Sequence, residues 1–245
     1  MRITRGALIV LGLEIGLSLV YGALGPGTAQ DPGPRKLLQD YLMATPANVF
    51  VHGRVWTLAT GVFFEPKLLA LILHALVMWM FMPTLERFWG TARFYRFVAI
   101  TSLVATAAGC AVGYALGPRH VPVGELDPFT VGGLDPFICA AFVAFGIVYA
   151  RQPVQFFGVL PLTGRQLMYG IVAFLALLIL LSQRWADGAA YAAAMLAAVI
   201  LTSKRWSPAL VWKRWRIARA RARLTVMSGG KARSSPPRDE HKWLN

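Results

Sequence analysis

The sequence predicts an all-α integral membrane protein built as a bundle of six transmembrane helices, and three observations carry that reading. Apolar residues make up 56% of the 245 positions and charged residues 15%, too apolar for a soluble domain of this size. The apolar residues gather in six blocks, near 7–24, 67–86, 95–116, 134–150, 166–183 and 187–203. Each is about long enough to cross a hydrocarbon core of ~30 Å. The blocks are continuously apolar instead of alternating, which excludes a transmembrane β-barrel.

The first block follows Arg2 and Arg5 and leads to small residues around Gly27–Ala29, a pattern shared with signal peptides. Glu14, flanked by Gly12 and Gly16 in its middle, argues instead for a retained helix. An ionisable residue in mid-membrane is by default a functional-site candidate. The plainer alternative is a local partner, Ser18 one turn later or a polar group on a neighbouring helix.

Between the first two blocks lies a connection from Gly25 to Pro66, far longer than the usual link between helices. It opens with the turn-rich GPGTAQDPGP and then carries Leu37, Leu38, Leu42, Val49 and Phe50. So apolar a loop is expected to fold against the bundle with one or two short helices near 35–51. Trp56, Phe63 and Phe64 suit the headgroup level, where aromatic rings are favoured.

The third block spaces Gly109, Gly113 and Gly117 four residues apart, a stripe that lets a neighbouring backbone approach. The sixth is dense in alanine (Ala189, Ala190, Ala192 to Ala194, Ala197 and Ala198) and is expected to pack centrally. Cys110 and Cys139 both fall inside spans, so free thiols are expected and no disulfide framework.

Two regions follow: a membrane domain over 1–206 and a basic tail over 207–245. In the tail Arg214, Arg216, Arg219, Arg221 and Arg223 are interleaved with tryptophans, Trp212 and Trp215, just beyond Trp206. Such a segment suits the surface of anionic lipid, where each basic residue contributes about 1 kcal/mol. The Gly/Ser/Pro-containing end is expected to be disordered. With the N-terminus inside, 19 of the 25 lysines and arginines fall on the cytoplasmic side and 6 outside. That bias predicts both termini in the cytoplasm, with a bacterial inner membrane as the expected location. The net charge of +14 is accounted for by topology and tail, so no nucleic-acid partner is expected.

The spacing of certain residues resembles the rhomboid family of intramembrane serine proteases. Trp56 and Thr60 precede the second helix; Glu86-Arg87, Gly90 and Phe94 follow it; and GGLDPF stands where that family has its GxSG motif. FFGVLPLTGRQ is similar to the cytoplasmic link that follows there, and AYAAAMLAA to the start of the final helix. On this register the chemical positions are changed. Asp135 stands at the nucleophile and Tyr191 at the base, Ala70 and His74 fall at the oxyanion positions, and Thr57 replaces an arginine. Framework residues Trp56, Glu86, Arg87, Gly90, Gly132 and Gly133 remain.

Serine proteolysis needs a hydroxyl activated by a base, and a tyrosine with pKa ~10 is a poor base at neutral pH. The resemblance therefore implies a pseudoprotease that binds transmembrane segments of client proteins without cleaving them. It also implies that His74, Asp135 and Tyr191 approach one another as a buried polar cluster. Asp135-Pro136 is in addition a helix-starting pair, Asp as N-cap and Pro at the first helical position. A metal held by His74, Asp135, Tyr191 and Cys139 has no support in spacing, so neither metal nor cofactor is expected. Two alternatives are a hydrolase using Ser102 with His74 and a small transporter built around Glu14 and His74.

Overall fold

The computed structural model describes residues 3–24, 33–65, 67–117, 133–156 and 160–203 and, in the tail, 212, 213, 215–217 and 219. The chain divides into two units, Met1–Trp206 and Ser207–Asn245. The first is helical. α1 (Arg5–Ala23), α4 (Leu68–Trp89), α5 (Thr91–Leu116), α7 (Gly164–Ser182) and α8 (Trp185–Thr202) are each long and apolar enough to cross a membrane. Short helices α2 (Gly33–Leu42) and α3 (Thr57–Thr60) lie in the first connection, and α6 (Asp135–Val148) stands between α5 and α7.

The fourth apolar block differs from a simple crossing. α6 has 14 residues, which at ~1.5 Å per residue is about 21 Å, short of the hydrocarbon thickness. It begins at the Asp135-Pro136 pair, and every residue from Pro136 to Gly146 is buried. Its apolar run reflects enclosure by protein: α6 packs on α8, α7, α4 and α5. The close approach to α7 depends on glycine. A Cβ on Gly146 would meet the Met168 Cβ at 2.4 Å, and one on Gly164 the Tyr149 carbonyl oxygen at 2.5 Å.

An antiparallel hairpin, β1 (Pro153–Phe156) with β2 (Leu160–Thr163), interrupts the all-helical pattern between α6 and α7. Val154 pairs with Leu162 and Gln155 with Pro161. The strand runs straight into α7 through a capping box. The Thr163 hydroxyl accepts from the Gln166 N–H at 3.3 Å, and the Gln166 side chain accepts from the Thr163 N–H at 2.9 Å. α7 buries only Gly164 and Leu167, so nearly its whole length is left for lipid. α8, by contrast, packs Ala190, Ala194, Ala197 and Ala198 inward and shares its most extensive contact with α5.

The first connection is folded over 33–65. α2 is followed by a π-turn over Ala47–Val51, then α3 and a 3₁₀ turn over Gly61–Phe63. Side chains close this segment on itself and on the bundle. Asn48 Nδ2 donates to the Met43 carbonyl at 2.9 Å, Arg54 to the Asp40 carbonyl at 2.8 Å, and Thr60 to the Leu42 carbonyl at 3.0 Å. Trp56 Nε1 reaches the Tyr41 carbonyl at 3.1 Å, and Thr106 on α5 donates to the Leu58 carbonyl at 3.0 Å. These bonds satisfy backbone carbonyls that a non-helical segment beside a bilayer would otherwise leave without partners.

Candidate functional site

Glu14 sits in the middle of α1 with no exposed surface, and His74 lies two turns into α4 with 4% exposed. The His74 Nδ1 is 2.6 Å from Glu14 Oε1, and its Nε2 is 2.6 Å from Oδ1 of Asp135, the first residue of α6. One imidazole thus joins three helices through two carboxylates. Both distances are in the short range of charge-assisted hydrogen bonds.

A third carboxylate completes the group. Glu65, 6% exposed, is fixed just before α4 because its N–H donates to Ser18 Oγ at 3.1 Å, and its Oε1 accepts from the Lys67 N–H at 2.9 Å. Burial raises the Glu65 carboxyl above the ordinary glutamate range, against the lowering effect of that Lys67 N–H. One donor atom each from Glu65, His74 and Asp135 lies within 4.8 Å of the others.

Gly133 forms the wall where these groups converge. Its φ is +69°, and its N–H donates to the Gly61 carbonyl at 3.2 Å, tying the start of α6 to the first connection. A Cβ there would meet Glu65 Oε2 at 2.6 Å, His74 Cε1 at 3.1 Å and Glu14 Oε1 at 3.3 Å. The next residue, Leu134, donates its N–H to Glu14 Oε1 at 3.3 Å. Glu14 Oε2, although buried, has no hydrogen-bond partner among the described residues. The Asp135 side chain is 45% exposed and forms the open side of the group.

The structure therefore joins His74 with Asp135 and adds Glu14 and Glu65. Tyr191 lies on α8 with no hydrogen bond to His74 or Asp135 among the described residues. Tyr191 lies within electrostatic reach of Asp135, and Glu14 takes the second nitrogen of the ring. Glu14 is paired with His74 and not with Ser18, whose hydroxyl accepts from Glu65. Ala70, one turn before His74 on α4, offers a methyl group and no polar contact. Ser102 Oγ is buried without a partner among the described residues and makes no bond to His74. Of the tail arginines, Arg216 and Arg219 are exposed, and Arg219 lies over the Trp215 ring at 4.4 Å. Arg214, Arg221 and Arg223 lie outside the described residues.

Glu65 had no signal of its own in the sequence, since it precedes the apolar block and its role is set by tertiary contact. Glu86, singled out by spacing as a framework residue, has a structural role whose partners the spacing did not indicate. On α4 and 4% exposed, it accepts from the Thr4 hydroxyl, from the N–H groups of Gly6 at 3.0 Å and Ala7 at 2.9 Å, and from the Thr91 hydroxyl at 2.8 Å. One carboxylate thereby caps the start of α1 and bonds the first residue of α5.

A second feature lies beside α1. A half-enclosed, almost wholly apolar cavity of about 200 Å³ is lined by Ile9, Val10 and Leu13 of α1, Ala59 of α3, Val62 and Phe63, and Tyr95, Val98, Ala99, Ser102 and Leu103 of α5. Exposed Ile9, Leu13 and Leu103 stand at its edge, and Ser102 is the polar residue in its wall.

Residues 5–203 match the model of the family described as eukaryotic integral membrane protein (DUF1751), and the chain belongs to that family. No curated protein and no solved structure matches it. The family match is not to rhomboid proteases, so the rhomboid resemblance is overturned. With it goes the register that gave Ala70, His74, Asp135 and Tyr191 the places of catalytic residues. The family's eukaryotic description counts against the expected bacterial inner membrane. The chain is an integral, multi-pass membrane protein.

Proposed function

We propose that this member of the eukaryotic membrane family is a binding protein that receives transmembrane segments of client proteins without cleaving them. The observation that carries the reading is the cavity between α1, α3 and α5. Its volume, about 200 Å³, suits one or two large apolar side chains of a docked helix. Ser102 is among its lining residues, but its hydroxyl oxygen is buried, so the recess offers an apolar surface. In lipid, helices associate largely through close packing, which such a recess supplies.

The bonding of His74 supports a protein that does not cleave its clients. A hydroxyl nucleophile needs a free basic nitrogen within reach. Both ring nitrogens of His74 are engaged by carboxylates at 2.6 Å. In this reading both termini are cytoplasmic, from the distribution of lysine and arginine, and α6 is a sixth, short crossing enclosed by the other helices.

The test uses the full chain in nanodiscs with a donor-labelled model transmembrane helix. Saturable energy transfer is expected, weakened at least tenfold when Leu103→Trp fills the cavity, with the helix intact after prolonged incubation. Equal association for the filled variant would contradict the reading. So would cleavage that disappears in Ser102→Ala, the outcome for a hydrolase.

A further inference from the structure

We infer that Glu65, His74 and Asp135 form a binding site for a single divalent transition-metal ion, with Glu14 orienting the imidazole from behind. Three carboxylates surround one imidazole, and Glu14, Glu65 and His74 are all buried. Even a protonated ring offsets one of three negative charges, and isolated carboxylates in a low-dielectric interior are strongly unfavourable. Such a group is relieved by bound protons or by a cation.

The arrangement favours the cation in three ways. His74 Nε2 faces Asp135 while Nδ1 faces Glu14, so one nitrogen can ligate while the other donates its N–H to a carboxylate. That pairing is the usual support for a metal-bound histidine, fixing its tautomer and raising its basicity. Glu14 Oε2 is buried without a partner among the described residues, and it sits on a residue already committed to the cluster. Gly133 keeps the interior clear where any side chain would meet Glu65 Oε2.

The distances fit with small movements. At bond lengths of ~2.0–2.1 Å, tetrahedral ligand atoms lie about 3.3 Å apart. The His74–Asp135 pair, 2.6 Å apart, would open by less than an ångström. The widest separation in the donor group, at most 4.8 Å, would contract by about 1.5 Å. The half-exposed Asp135 gives a path of entry. One imidazole with two carboxylates and no thiolate suits Zn²⁺ or Mn²⁺ more than a soft ion such as Cu⁺. Cys139, one turn along α6, is outside the donor group. Three protein ligands leave a fourth position for water or for a carbonyl or carboxylate of a bound molecule.

The experiment uses full-length protein in nanodiscs, stripped with a chelator and titrated with Zn²⁺ alone. Ions bound per chain are read by elemental analysis and affinity by calorimetry. One ion per chain is expected, with release of protons on binding. Glu65→Gln and Asp135→Asn should each weaken binding at least tenfold. Glu14→Gln should weaken it about 10–100-fold while keeping one ion per chain, the behaviour of a group behind a ligand. His52→Asn and the Cys110→Ser/Cys139→Ser double variant should bind as the parent does. Should His74→Ala fail to fold, Glu65→Gln decides the matter, since it removes a ligand from a segment outside the spanning helices. No stoichiometric uptake, or uptake unchanged in Glu65→Gln, would overturn the site.

Discussion

Gly133 concentrates the logic of the site in one position. Its φ of +69° is a conformation that other residues adopt at a cost, and its missing side chain leaves room for the Glu65 carboxylate. Gly133→Ala is expected to destabilise the protein by about 1–3 kcal/mol, through strain and crowding together. Gly12 and Gly16, beside Glu14 in sequence, have nothing within 4 Å of an added Cβ. Gly12→Ala should therefore leave the melting temperature in detergent at or slightly above the parent value, and equal losses for the two variants would contradict this account. At this scale the sequence was partly legible. Glu14, His74 and Asp135 stood out because ionisable residues inside apolar blocks need partners. That Glu14 and His74 are those partners for each other was not legible, since 60 positions separate them. Glu65 lay outside every apolar block, and nothing in local pattern marks a carboxylate brought in by a folded loop.

Among the elements, α1 depends on a cap that its own sequence does not provide. Thr4 precedes it but makes no side-chain bond to the helix, and the carboxylate of Glu86 on α4 takes the first N–H groups instead. Glu86→Ala is expected to cost roughly 2–4 kcal/mol by leaving several buried donors without an acceptor. Gly6→Ala should be comparably harmful, because its Cβ would meet the Glu86 carboxylate at 2.6–2.8 Å. Thermal unfolding in nanodiscs checks both, and a neutral Gly6→Ala would show that α1 sits further from α4. Hydropathy located every long helix, since length and composition are what lipid imposes. Its fourth block, near 134–150, encloses α6 to within two residues at either end, but hydropathy alone does not separate a protein-enclosed helix from a lipid-facing one. The hairpin at 153–163 was missed although Thr163 and Gln166, at capping-box spacing, marked the start of α7.

In the whole molecule, α1, α4 and α6 are held together by one imidazole between carboxylates. The folded connection over 33–65 follows from the same principle of satisfied backbone groups. Slowed amide exchange is expected there for Met43, Phe64 and their buried neighbours, and uniformly fast exchange would count against it. Topology reporters should place the 150–152 turn on the same side as the N-terminus, as the 19-to-6 charge count requires. The most direct test is a double-mutant cycle between helices, using Glu14→Gln, His74→Gln and the combined variant in metal-free nanodiscs. The account predicts a coupling free energy of about 1–3 kcal/mol, as expected for groups sharing a buried hydrogen bond. Additivity to within about 0.5 kcal/mol would mean that the two side chains do not meet, and the cluster would not exist as described.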